Sequence, residues 1–161
     1  MKVFFTFLIL SITVFSCKAP QPVVNIGTIS ETMTIEENKD DLYIKSNNWM
    51  VETFVSAKSV VQFSDKETGI VTGRYLLKET FKEQNGIKVP INSIYAIIKI
   101  QVKDNACKIS ITPEEFYESR SFTKNNPMNI DESMIRFEIG RLISSYKNYI
   151  ETDNTLDFYQ D

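Results

Sequence analysis

The stretch SIYAIIKIQVKDNACKISIT, residues 93–112, decides the fold. Ile94, Ala96, Ile98, Ile100 and Val102 hold one parity, while Tyr95, Ile97, Lys99, Gln101 and Lys103 hold the other. A period of two puts the first set against a core and the second on the opposite face of the same strand. Asp104-Asn105 turns the chain, and Cys107, Ile109 and Ile111 continue the core face on the returning strand. The pattern predicts an antiparallel hairpin with one side covered and one side open. It also reads Cys107 as a small buried hydrophobe, because a reactive thiol needs a nearby cation or helix N-terminus and nothing local supplies one on that face.

Working upstream, IVTGRYLLKE and SVVQF flank the turn-rich Ser64–Gly69 loop and form a second hairpin, and FKEQNGIKVP, with Asn85-Gly86 and Pro90, makes the reversal between the two. TISETMTIEE alternates Ile29, Glu31, Met33 and Ile35 against polar neighbours, a first strand. Asn38 then offers a helix cap with Asp40 and Asp41 in the first turn, which explains that acidic pair without catalysis. The helix is expected through Ala57, with Leu42, Ser46, Trp49, Met50 and Thr53 along one face.

Downstream, Thr112-Pro113-Glu114-Glu115 fits a capping box with proline at the first helical position, predicting a short helical turn to about Ser119. Asn129-Ile130-Asp131-Glu132 opens a long helix with Ile130, Met134, Phe137, Leu142, Tyr146 and Tyr149 near one face and Ile135, Ile139 and Ile143 beside it. Gly140 inside that helix predicts a close approach of another backbone. The predicted order is β-α-β(4)-α, an α+β fold with an antiparallel sheet and two helices on one face.

The amino terminus carries an address. Met1-Lys2 precedes thirteen uncharged residues, Val3–Phe15, the length of a signal-peptide core and short of the ~20 apolar residues of a membrane span. Val14-Phe15-Ser16-Cys17 resembles the bacterial lipobox, although Phe15 is bulkier than is usual there. That resemblance implies cleavage before Cys17 and acylation of Cys17, so that the membrane itself is a partner. Lys18, where aspartate would favour inner-membrane retention, implies an outer-membrane address in the cell envelope. The expected divisions are a signal peptide over 1–16, the lipidated cysteine and an extended tether over 17–27, a folded domain over 28–152 and an acidic tail over 153–161.

Composition narrows the chemistry. Loss of the first sixteen residues leaves 145, with Lys+Arg falling from 18 to 17 against 21 Asp+Glu, a net charge of −4. Such a surface is a poor match for nucleic acid. The chain has no histidine, which removes Ser-His and Cys-His catalysis and His-based zinc sites. No cofactor and no metal are expected. With Cys17 acylated, Cys107 has no cysteine left to pair with, so no intrachain disulfide forms.

The segments DLYIKSNNWMVETF, VVQFSDKETGIVTGRY and YAIIKIQVKDNACKISI, together with the lipoprotein start, resemble a bacterial envelope lipoprotein family described as a domain of unknown function with a TATA-box-binding-protein-like (TBP-like) fold. The carrying residues are Asp41-Leu42-Tyr43 with Trp49 two turns on, followed by the hairpin from Asp65 through Gly69-Ile70 to Gly73. The resemblance implies a fold over most of residues 28–150 and implies no activity.

Three functional expectations follow. The first is a non-enzymatic binding module whose open sheet face carries Thr72, Arg74, Ile97, Lys99, Gln101, Lys103, Lys108 and Ser110. Arg74, Lys99, Gln101 and Lys108 are the candidate contacts to an anionic ligand, a glycan or an envelope protein; the alternative for the same residues is a solvated sheet face without a role, since antiparallel sheets often leave one side wet. The second is an accessory subunit of an envelope assembly using an exposed strand edge. The third, a histidine-free hydrolase, finds no G-x-S-x-G elbow or S-x-x-K motif to support it.

Overall fold

A computed structural model describes residues 23–55, 60–117 and 130–152. The signal segment, Cys17, residues 118–129 and the acidic tail from 153 lie outside the described residues. The elements are β1 (Val23–Val24), β2 (Ile29–Thr34), α1 (Lys39–Thr53), β3 (Val60–Asp65), β4 (Ile70–Gln84), β5 (Ile87–Lys103), β6 (Ala106–Pro113), β7 (Phe116–Tyr117) and α2 (Glu132–Glu151). Five strands form one antiparallel sheet in the order β2-β6-β5-β4-β3, and β1 pairs with β7 in a separate two-stranded ribbon. Among the described residues, no helix is long and apolar enough to cross a membrane.

The period-two reading holds along β5 and β6. Ile94, Ala96, Ile98, Ile100, Val102, Cys107, Ile109 and Ile111 are all buried, and α1 and α2 cover them. Between the helices, Trp49 meets Tyr146 edge-on at 5.1 Å between ring centroids. Asn38 caps α1, its side chain accepting from Asp41 N. Asp104 from the β5–β6 turn adds a second acceptor for Lys39 N at 2.8 Å, tying the helix entry to the sheet. Gly69, with φ +67°, closes the β3–β4 turn against β5. Its carbonyl accepts from Val102 N, and an added Cβ would lie 2.5 Å from Val102 O.

Four local expectations are corrected. Thr112–Glu115 does not start a helix: Pro113 is the last residue of β6 and Phe116–Tyr117 form β7. Glu114 N donates to Tyr95 O, so the nitrogen of Pro113 faces the other side, where β2 has ended opposite Ile111. The missing N–H therefore loses no ladder bond, and burial of Phe116 favours the extended path. The stretch read as a tether up to residue 27 is partly built into the fold, with Val23 opposite Tyr117, Val24 opposite Phe116, and Val24 and Ile26 packed on the core.

The buried stripe of α2 is Ile135, Ile139, Leu142, Ile143, Tyr146 and Ile150, which leaves Phe137 69% exposed. Gly140 approaches no backbone; it is exposed and an added Cβ would meet nothing within 4 Å. Gly140→Ala is therefore expected to stabilise the domain by about 0.5–1 kcal/mol, read as a raised urea midpoint with unchanged slope. A lowered midpoint would restore the close-approach reading.

Candidate functional site

Strand register assembles the open face in rows. Thr72, Lys99, Ser110 and Ser30 face one another across β4, β5, β6 and β2. The next row is Ile70, Gln101, Lys108 and Thr32, and on the other side come Arg74, Ile97 and Thr112. Hydroxyl pairs stitch β2 to β6, with Ser30 Oγ donating to Ser110 Oγ at 3.0 Å and Thr28 and Thr112 bonded at 2.8 Å. The small Ala106, opposite Thr34 and Lys103, leaves a shallow hollow of about 350 Å³ lined by Thr32, Thr68, Gln101, Lys103 and Lys108.

The four sequence-selected residues share this face but not one state. Arg74 is engaged: its Nε donates to Glu114 Oε1 at 3.0 Å and its guanidinium lies 3.4 Å over the Tyr95 ring. The bond to Glu114 pushes its pKa further up, so Arg74 stays charged and fixed in place. Lys99, Gln101 and Lys108 have no ion-pair or side-chain hydrogen-bond partner among the described residues. The same holds for Lys103. The face therefore presents three unneutralised ammonium groups beside a row of hydroxyls, on a chain that is acidic overall. That arrangement attracts an anion and can orient it through the neighbouring hydroxyl and amide groups. Among the described residues no cluster of acid, cysteine or histidine side chains converges as a metal site would.

On the covered side lies one buried polar cluster. Ser46 Oγ donates to Leu42 O at 2.6 Å and bonds the Tyr146 hydroxyl at 2.8 Å, with the Cys107 thiol beside that phenol. Burial pushes the pKa of both Tyr146 and Cys107 up, so both stay neutral. A tyrosine whose folded pKa is raised contributes stability that is complete below its ordinary value of 10 and is lost as pH rises from there toward the folded pKa. Between about pH 8 and 11 the urea midpoint of the wild type is expected to fall more steeply than that of Tyr146→Phe. Parallel curves would mean that Tyr146 ionises freely.

A family model described as "Domain of unknown function (DUF4468) with TBP-like fold" matches residues 32–116, more than half of the chain. The chain belongs to this family. Every strand of the DUF4468 domain's open face except the start of β2 falls in that stretch, and so do Arg74, Lys99, Gln101 and Lys108. Two solved structures share the fold. A DUF4468 family protein from Bacteroides ovatus aligns with TM-score 0.50 at 13% identity, covering 84% of this chain and 92% of its own. A TBP-like protein from Parabacteroides distasonis aligns with TM-score 0.53 at 15% identity, covering 78% and 92%. No curated protein matches the chain. Sequence reasoning missed Thr32 as part of the DUF4468 hollow, because nothing in the strand pattern told which of its neighbours β2 would pair with.

Proposed function

We propose that this chain is a lipid-anchored binding module of the cell envelope, without enzymatic activity, whose open sheet face takes an anionic ligand such as an acidic glycan or an acidic protein segment. The observation that carries the reading is the group Lys99, Lys103 and Lys108, unpaired among the described residues, around Gln101 and Thr32. The acids near the face are turned to other tasks: Glu114 holds Arg74, and Asp65 accepts from Glu67 N and the Thr68 hydroxyl in its own turn. The absence of histidine and the engagement of Ser46 and Cys107 in a buried cluster support a non-enzymatic role. The charge-free run ending at Cys17 supports the anchor, and Lys18 supports the outer membrane as its address.

The test is capture from solubilised envelopes by the acylated chain and by the double variant Lys99→Glu/Lys108→Glu. Reversing both charges is expected to weaken capture of the specific component at least about tenfold, the equivalent of ~1.4 kcal/mol. Equal capture of every component would overturn the open face as the binding surface.

A further inference from the structure

Strand register places an exposed apolar arm at the same end of the domain as the chain's exit toward Cys17. Among the described residues of the main sheet, β6 flanks β5 only as far as Pro113 opposite Ala96, and β3 flanks β4 only as far as Arg74. β4 and β5 continue together past that level to the Asn85-Gly86 turn, where both residues take positive φ as a tight hairpin requires. Beyond Leu76 the arm is about 25 Å long at a strand rise of ~3.3 Å per residue. Leu77, Thr80 and Ile94 bury its base, Ile91, 58% exposed, sits at the bulge level with Thr80, and Ile87 and Val89, 66% and 41% exposed, lie near its tip. Ile87 and Val89 share one face with their partners Gln84 and Lys82. The β1–β7 ribbon follows directly on Pro113, so it lies at this end too, and its opposed Val23 and Tyr117 are 50% and 55% exposed.

We infer that the arm tip, with Val23 and Tyr117, is the bilayer-contacting foot of the domain. The inference rests on acylation of Cys17, as proposed above. Six residue steps separate Cys17 from Val23, a reach of at most about 20 Å even when fully extended. That short leash holds this end of the sheet, and not the end with the Gly69 and Asn105 turns, next to the lipid. Arm and leash leave the same end of the sheet and are of similar length, which puts the tip within reach of the surface to which the chain is tied. Ile87 and Val89 at the tip enter the boundary between headgroups and acyl chains, with Lys82 and Lys88 extending toward the phosphates and Tyr117 at headgroup level. The contact steers the domain, since a second attachment point removes the freedom to rotate about the leash.

The experiment uses the acylated full chain in vesicles of phosphatidylethanolamine and phosphatidylglycerol. A bimane label is placed at Ile87→Cys or Val89→Cys, with Lys66→Cys in the opposite-end turn as control. Cys107 is 1% exposed and does not compete for the label. Blue-shifted emission and quenching by nitroxide-labelled lipid are expected at 87 and 89, with neither at 66. Aqueous emission at all three positions in protein that floats with the vesicles would overturn the foot while leaving the anchor standing. A blue shift without lipid quenching would assign the arm to a protein partner, such as a second copy, and would also overturn it. Failure of the protein to float would overturn the anchor and this inference with it.

Discussion

Trp49→Ala is expected to lower the domain's stability by about 3–5 kcal/mol, the range for emptying a buried aromatic site. Trp49 is 2% exposed and sits where α1 meets α2, packed edge-to-face on Tyr146 with a 65° interplanar angle. Its indole Nε1 also donates to Ser145 Oγ at 3.2 Å. The change therefore removes core volume, an aromatic pair worth about 0.5–1.5 kcal/mol beyond area, and the helix–helix hydrogen bond. A domain of this size has only about 5–15 kcal/mol in total, so the variant would unfold in mild denaturant. Because Trp49 is the single tryptophan, the transition has to be followed by circular dichroism. Trp49→Phe keeps a ring against Tyr146 and should lose markedly less. A cost below about 1 kcal/mol for alanine would mean that the helices do not close on each other through this side chain.

Cys17→Ser is expected to abolish both fatty-acid labelling and membrane attachment. Each buried methylene contributes about 0.8 kcal/mol, and a single chain holds a protein only marginally, so two or three chains on one residue decide between permanent and absent attachment. In cells fed an alkyne fatty acid, the wild type should be labelled and sediment with envelopes, while the serine variant should be unlabelled and soluble. An unlabelled variant that still sediments after loss of residues 1–16, checked by its amino-terminal sequence, would place the attachment in the folded domain.

Legibility in the sequence followed how local the deciding physics was. The alternation of Ile94 to Val102 needed only a period of two, and every one of those core positions is buried. Asn38 read correctly as a helix start because capping is settled within three residues, its side chain accepting from the backbone N–H three residues on; the second box, read from Asn129, found the right helix, but its cap is Asp131, whose side chain accepts from Met134 N. Pro113-Glu114-Glu115 carried the same local signature and went the other way. Burial of Phe116 and the pairing with Val23–Val24, about 90 residues away in sequence, outweighed it, as tertiary contacts override a weak local preference. Pro90 likewise marked a reversal in the sequence but sits inside β5 opposite Phe81, beside a bulge where a proline is tolerated.

The open face was legible as a parity set and not as a site. Parity put Arg74, Lys99, Gln101 and Lys108 on one side of the sheet, yet could not tell that Arg74 is held by Glu114 and Tyr95 while the lysines are not. Glu114 reaches Arg74 only because Pro113 ends a strand there, the feature that local rules misread. Thr32 joined the hollow through the pairing of β2 with β6, a contact between strands separated by most of the domain. Strand parity survives without knowledge of partners; a binding surface does not.

Photo-cross-linking in intact cells distinguishes an occupied open face from a bare one. A photo-reactive aromatic analogue replacing Ile97 lies on the open face between Arg74 and Thr112 and leaves Lys99, Lys103 and Lys108 in place. The same analogue replacing Arg136, on the exposed side of α2, reports on the opposite side of the domain. A discrete adduct is expected from position 97 that disappears when Lys99→Glu and Lys108→Glu are added, and none from position 136. An adduct from 136 alone, or one from 97 indifferent to the two lysines, would contradict the open face as the binding surface.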